Sequence, residues 1–262
     1  MPKTDIIIPT FGQEIFTSAC FDSIAKHTRD YRLVWVDNGS SKESREAVMP
    51  SFGKSKSRLP VWSESNLGFV GGVNLGLKMV TSVFDAKSEY IVIQNNDTVV
   101  TQDWLSDMIA VMDADPRIVV AGPMTSTSGS WQGWQHAFKR LDVPPFAGMG
   151  TRAPEDIQKA LKGAFRARAV DVKMVAFFCT VFRRSVFEEL GFLDDQFGVG
   201  LGDDDDFCKR VINAGYKIAF VPGVYVVHNH RTTFKSVYSN DQIRKMQIEN
   251  TKLLKQKHGG LV

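Results

Sequence analysis

Arg32-Leu33-Val34-Trp35-Val36-Asp37-Asn38-Gly39-Ser40-Ser41 is a short apolar, largely β-branched run that stops at an acid and a glycine-containing turn. The same design precedes it in Asp5-Ile6-Ile7-Ile8-Pro9-Thr10-Phe11 and follows it in Tyr90-Ile91-Val92-Ile93-Gln94-Asn95-Asn96-Asp97-Thr98. Strands are predicted at Asp5–Ile8, Arg32–Val36, Pro60–Ser63 and Tyr90–Gln94. Helices are predicted between them at Gln13–His27, Lys42–Met49 and Gly71–Val83, from the helical spacing of Ile15, Ala19 and Ile24 and of Val73, Leu77 and Val80. Alternation of this kind specifies βαβ units with right-handed crossovers, hence an α/β fold with a Rossmann-like, mainly parallel central sheet flanked by helices. Ligands of such sheets gather beyond the carboxyl ends of the strands. Pro9, Thr10, Phe11 and Asp37 are therefore candidates to hold a nucleoside, against the alternative that Asp37 and Ser40 only shape a turn and cap a helix.

Beyond Asp97 the pattern predicts a helix over Gln102–Met112 and a strand over Ile118–Ala121. From Thr125 to Ala169 it breaks into a Ser-, Gly- and Pro-rich stretch, read as a long loop. Trp131 and Trp134 in that loop are assigned to acceptor recognition and lid movement, with packing of the loop onto the core as the alternative. Order resumes with the apolar run Val175–Phe182, helices at Ser185–Leu190 and Asp203–Ala214, and strands at Lys217–Val221 and Val224–Val227. The polar stretch Ser239–His258 favours a helix. Residues 1–100 are read as a nucleotide-binding half, 101–235 as an acceptor-binding and catalytic half with a smaller sheet, and 236–262 as a helical tail.

The 262 residues, 43% apolar and 23% charged, suffice for one large α/β domain and argue against disorder. Three cysteines, an odd number without metal-ligand spacing, predict buried reduced thiols and a cytoplasmic setting. A net charge of +3 is too small to point to nucleic acid. It is compatible with phosphate-bearing substrates or a peripheral place on an anionic membrane surface. The run Ile6-Ile7-Ile8-Pro9 is too short for a signal-peptide core or a membrane span, so the chain is expected to enter its fold directly.

Four segments carry candidate chemistry. The two strand ends at Pro9–Phe11 and Asp37–Ser41 are the first. In the second, Asn66-Leu67-Gly68-Phe69-Val70-Gly71-Gly72-Val73-Asn74-Leu75-Gly76, the glycines permit close approach of a diphosphate to a helix N-terminus. The spacing fits neither the dinucleotide fingerprint nor the triphosphate P-loop, and a tight strand-to-helix turn explains it equally well. The third is Asn95-Asn96-Asp97, a carboxylate flanked by amides at a strand end, suited to a hard divalent cation or to a plain turn. The fourth is Gly200-Leu201-Gly202-Asp203-Asp204-Asp205-Asp206-Phe207-Cys208-Lys209-Arg210. Here a helix N-terminus offsets part of the repulsion among four acids and takes one of them as its cap. Asp206 is predicted to pair with Arg210 while Asp203 or Asp204 faces the cleft, against the alternative of a solvated acidic cap. Downstream, His228 and His230 are candidate metal ligands, and Arg231 and Lys235 candidate phosphate ligands.

Taken in order, the Ile-Pro-Thr and Val-Asp-Asn-Gly-Ser-Ser strand ends, the Asn-Leu-Gly-Phe segment, Asn-Asn-Asp-Thr, the acidic helix and Val-His resemble the family-2 inverting glycosyltransferases of GT-A fold, especially the bacterial rhamnosyltransferase-like branch. The resemblance covers about residues 4 to 235. It implies transfer of a sugar from a UDP- or dTDP-linked donor to the hydroxyl of a saccharide or lipid-linked saccharide, in surface polysaccharide or glycolipid synthesis. It also implies a divalent cation, Mn2+ or Mg2+. Under it Thr10 and Asp37 hold the nucleoside, and Asn66 and Gly68, with Asn74 in the same segment, lie near the donor. Asp97 takes the last position of the Asp-x-Asp metal motif, with Asn95 in place of its first acid and Asn96 between. Asp204 takes the position of the general base, with Asp203 in place of the usual Glu toward the acceptor, and His228 that of a late metal or diphosphate contact. A sugar-phosphate nucleotidyltransferase, or a nucleotide-sugar-binding protein without catalysis, is the competing reading.

Overall fold

The computed structural model describes residues 3–83, 88–128, 130–146, 148–229 and 237–259. Strands β1 (Thr4–Thr10), β2 (Tyr31–Asn38), β3 (Arg58–Ser63) and β4 (Tyr90–Gln94) lie parallel in the order β3-β2-β1-β4. Helices α1 (Glu14–His27), α2 (Lys42–Phe52) and α3 (Gly68–Lys78) join them, α3 running on into a π-helical turn at Met79–Val83. The register sets Thr10 beside Asp37 and Asp37 beside Trp62, so the polar carboxyl ends of these strands align along one edge. Helix α3 lies close on β1 and β2. A Cβ at Gly76 would run into Ile7 and come 3.0 Å from Val36 Cγ2, which makes glycine there a packing requirement rather than a ligand contact.

Alternate strand residues feed two apolar clusters, one with Ile7, Val34, Val36 and Ile93 and the other with Ile6, Ile8, Leu33 and Trp35, as a sheet covered on both faces requires. Helix α1 corrects the sequence reading. Ile15 is 83% exposed and Ala19 is exposed, while Thr17, Cys20, Phe21 and Ile24 are buried. Phe21 decides the rotation, with its ring centroid 5.6 Å from Trp35 and 5.8 Å from Phe52, because an aromatic buries far more surface than an isoleucine at the helix start. Cys20, Cys179 and Cys208 are buried and free, as predicted.

The second half continues through β5 (Thr98–Val100), α4 (Trp104–Ala114), β6 (Ile118–Met124), α5 (Trp134–Leu141), α6 (Pro154–Phe165), β7 (Val170–Val172), β8 (Cys179–Arg183) and α7 (Arg184–Leu190). It ends with α8 (Asp203–Asn213), β9 (Lys217–His228) and α9 (Asn240–His258). The strand order is β3-β2-β1-β4-β8-β6-β9-β5, with β7 also paired to β9. Strand β8 is antiparallel to both β4 and β6, β6 and β9 are parallel, and β5 pairs antiparallel with the far end of β9 as a small second sheet.

Two further expectations are corrected. The stretch from Thr125 to Ala169 is not one long loop, since it holds α5, α6 and a 3-10 turn at Met149–Thr151. Helix α6 opens on Pro154 with Glu155 and Asp156 in its first turn and buries Ile157, Leu161 and Phe165, an i, i+4, i+8 stripe hidden by the surrounding Gly and Pro residues. The two predicted strands around Pro222-Gly223 are one continuous strand, β9, with a register shift against β6 in place of a turn. Among the described residues no helix is long and apolar enough to cross a membrane.

Candidate active site

A cavity of about 360 Å³ opens at the carboxyl ends of the parallel strands. Pro9, Thr10 and Phe11 reach it from the end of β1, Asn66 and Gly68 from the entry to α3, and Asn95, Asn96 and Asp97 from the β4–β5 turn. These positions are built by interlocking side-chain bonds. Asn38 Nδ2 donates to Asn66 Oδ1 at 3.0 Å and to the Gly68 carbonyl at 2.8 Å, while its Oδ1 accepts from Leu67 N at 3.0 Å. Thr10 Oγ1 accepts from Trp35 Nε1 at 2.8 Å, and Asn96 Nδ2 donates to Thr17 Oγ1 at 2.9 Å. The wall is thus set in place by the fold before any ligand arrives.

Asp37 stands behind this wall, 1% exposed. Its Oδ1 accepts from Arg45 Nε at 2.7 Å and from Ser40 N at 3.1 Å, so the carboxylate anchors the turn after β2. Three other predicted residues lie away from the cavity. Asn74 spans to a neighbouring turn, with Nδ2 donating to Leu193 O at 2.9 Å and Asp195 Oδ1 at 2.7 Å and Oδ1 accepting from Leu193 N at 3.1 Å. Trp134 stacks on Tyr225 with centroids 6.3 Å apart and lines a separate depression with Phe138 and Met149. Trp131 lies under the Arg140 guanidinium at 4.0 Å. The two tryptophans accordingly pack α5 and its approach onto the domain.

Asp97 and His228 meet inside the cavity, with Asp97 Oδ1 3.3 Å from His228 Nε2. Asn95 Nδ2 lies 3.4 Å from the same imidazole nitrogen, and the Phe178 ring stacks on His228 at 4.8 Å. Among the described residues there is no group of three or more His, Cys, Asp or Glu able to hold a metal unaided. One carboxylate oxygen and one imidazole nitrogen, with an amide beside them, are donors of the kind that would suit a divalent cation. His230, Arg231 and Lys235 lie outside the described residues.

Gly200, Leu201, Asp203 and Asp204 bring the start of α8 to the same cavity. None of the four aspartates caps the helix. The cap position is Gly202, and Asp203, Asp204, Asp205 and Asp206 all fall in the first turn. Asp206 turns away to Arg210 Nε at 3.0 Å, as the i, i+4 spacing predicts, which leaves Asp203 and Asp204 toward the cavity. Burial pushes the Asp203 carboxyl up to about 7, with Asp205 and Asp206 adding repulsion. Asp204 is raised well above the usual carboxylate range by burial and then by its charged neighbours Asp203 and Asp205. A raised carboxyl group that faces a cavity is suited to proton transfer near neutral pH.

Asn38 and Phe69, from two of the candidate segments, also line the cavity, as do Ser128, Ser130, Phe177 and Phe178, which the sequence reading does not single out. Phe177 and Phe178 were hidden inside an apolar run, where nothing local separates a core side chain from a site side chain. The serines had a signal, since a Ser-rich stretch after strand β6 falls on the ligand side of the sheet.

Residues 5–191 match the family described as Glycosyl transferase family 2. A PGL/p-HBAD biosynthesis glycosyltransferase of Mycobacterium bovis (strain BCG / Pasteur 1173P2) is 30% identical over 139 residues, covering 50% of this chain and 51% of that protein. The chain spans between about a quarter and a half of the length of the first curated relatives it matches. Two solved structures share the fold. The mannosyltransferase PcManGT from Pyrobaculum calidifontis, in complex with GDP-Man and Mn2+, superposes with a TM-score of 0.61 at 18% identity, covering 87% of this chain and 56% of that one. S. aureus TarS 1-349, in complex with UDP-GlcNAc, gives 0.62 at 16% identity, covering 96% and 65%. The fold is therefore that of the GT-A glycosyltransferases.

Proposed function

Since the chain belongs to glycosyl transferase family 2, we propose that it moves a sugar from a nucleotide diphosphate to an acceptor hydroxyl, with inversion at the anomeric carbon. The observation that carries this reading is a single cavity lined both by the Asp97–His228 pair and by Asp204. Residues 1–100 bind the donor, residues 101–235 complete the site on the acceptor side, and residues 236–262 form the tail. Asn95 in the Asn95-Asn96-Asp97 motif supports a place in the rhamnosyltransferase-like branch, for which a surface glycan or glycolipid is the expected product.

Thr10, Asn66 and Gly68 hold the donor, with Asp37 bracing the turn beside its base. Asp97 and His228 would hold the divalent cation, which when bound supplies positive charge to the diphosphate leaving group. Asp204, once ionised, takes the proton of the acceptor hydroxyl as that oxygen bonds to the anomeric carbon and the bond to the diphosphate oxygen breaks. One in-line displacement needs no covalent intermediate on the enzyme. Phe69, Phe177 and Phe178 add apolar lining that limits the water competing with the acceptor.

A thermal-shift panel of UDP-, dTDP- and GDP-sugars with and without Mn2+ tests the reading, because a ligand of the folded state raises the melting temperature by mass action. One donor class should stabilise the protein in the presence of Mn2+ and release its nucleoside diphosphate on turnover. No stabilisation and no release by any member would overturn the proposal.

A further inference from the structure

The backbone that leads into α8 is unusual. Gly198, Gly200, Leu201 and Gly202 have φ of 54°, 110°, 73° and 119°, so even a leucine is held in the left-handed region. Such a turn persists only where its surroundings over-determine it. Here the surroundings are α9. Asn250 Nδ2 donates to the carbonyls of Gly200 at 2.9 Å, Leu201 at 3.0 Å and Phe197 at 3.5 Å. Leu254, 3% exposed, covers the same turn, and a Cβ at Gly202 would come 3.1 Å from Leu254 Cδ1.

Near its end α9 grips α8 as well. Lys257 Nζ and His258 Nε2 stand 2.6 Å and 2.8 Å from Asp206 Oδ1, while Arg210 Nε holds Oδ2 at 3.0 Å. Lys257 also pairs with Asp194. Three basic groups thereby draw the last acid of the cluster out of the repulsive row. The capping box of Ser239 and Gln242 fixes where α9 begins.

We propose that α9 is a positioning element of the transfer site: Asn250 fixes the turn into α8, and Lys257 and His258, through Asp206, fix the roll of α8 that presents Asp203 and Asp204 to the substrates. The proposal rests on the transferase reading and extends it to residues that do not touch the cavity and lie beyond the family match at residues 5–191.

The test is nucleoside diphosphate release from UDP-glucose, UDP-GlcNAc, dTDP-rhamnose and GDP-mannose with Mn2+. Asn250→Asp keeps the shape of the side chain and removes its N–H donors. Its kcat should fall on the order of 10- to 100-fold, since small misplacements of a reacting group have effects of that size. The donor KM and UDP affinity should stay within about threefold, because the bonds of Asn250 go to Phe197, Gly200 and Leu201 and to none of the residues assigned to the donor. Asn250→Gln, which keeps the amide, should recover part of the rate. Lys257→Met, at the solvent edge of the contact, should lower kcat severalfold and serves if Asn250→Asp fails to fold. Wild-type kcat in Asn250→Asp, or in Lys257→Met where that variant has to serve, overturns the positioning role while leaving the transferase reading intact. So does a parallel loss of kcat and UDP affinity, as general loosening would give. If the wild-type protein releases nothing from any donor, the transferase reading fails and the positioning role with it.

Discussion

Asp97 Oδ1 stands 3.3 Å from His228 Nε2 because Thr98 pairs with His228 across the β5–β9 ladder. The Asp97 carbonyl also accepts from Asn229 N at 3.0 Å and Asn229 Nδ2 at 3.1 Å, which closes the juncture between the two strand ends. The pair is therefore held by backbone, and its two donors do not depend on a flexible loop. Asp97→Ala and His228→Ala should each weaken Mn2+-dependent nucleotide binding by on the order of 100-fold while leaving the fold intact. Calorimetric titration of UDP with and without Mn2+ checks this. Equal Mn2+ dependence in wild type and both variants would remove the metal from Asp97 and His228.

Asp204→Asn should lower transfer by roughly 10²- to 10⁴-fold, the usual scale for loss of a general base, with donor affinity unchanged. The acidic limb of the wild-type pH–rate profile should lie above the ordinary carboxylate range, because burial and then Asp203 and Asp205 raise the Asp204 carboxyl. The rate rises as that group ionises. Full turnover by purified Asp204→Asn would assign the proton to another acceptor.

The parallel half of the fold was legible because its strands announce themselves twice, by β-branched runs and by the polar residues that end them. Tyr90–Gln94 was located to the residue, and Asp97 and Asp204 both reach the cavity from motifs recognisable in the chain. What local pattern cannot encode is which of two apolar stripes a helix buries. Ile15 has the helical spacing yet Phe21 is the residue buried, a decision made by Trp35 and Phe52 on other elements. The partner of a polar side chain is equally invisible. Asn74 sits among donor-side glycines yet bonds to Leu193 and Asp195, and Trp134 sits in a Ser- and Gly-rich stretch yet stacks on Tyr225.

Asp203 and Asp206 respond to pH in opposite directions. Burial holds the Asp203 carboxyl up at about 7, whereas in the unfolded chain it titrates near 3.9. The folded protein thus retains a proton that the unfolded chain releases. The stability this group contributes is complete below the unfolded value and is lost as pH rises through about 7. Burial also opposes ionisation of Asp206, but Lys257, His258 and Arg210 outweigh it and hold that carboxyl below the usual range. Its contribution is present above the unfolded value and lost as pH falls. Asp203→Asn removes the first effect and leaves the Asp206 contacts in place, so its melting temperature relative to wild type should be higher at about pH 8 than at about pH 5. A difference that stays constant or reverses between those conditions would contradict the burial of Asp203.

Asn74→Ala separates the two roles open to a polar residue on α3. Its side chain makes three bonds to the turn at Leu193–Asp195, two donated and one accepted, and lies outside the cavity wall. Loss of these bonds leaves the Leu193 N–H and carbonyl to water or to no partner and should cost about 1–3 kcal/mol. That loss appears as a lower urea midpoint at unchanged slope. Donor affinity should stay within about twofold, since the walls formed by Thr10, Asn66 and Asp97 are anchored through Trp35, Asn38 and Asn229. A stable Asn74→Ala protein with weakened nucleotide binding would instead put this side chain on the donor, and α3 would then have to move toward the cavity when the nucleotide enters.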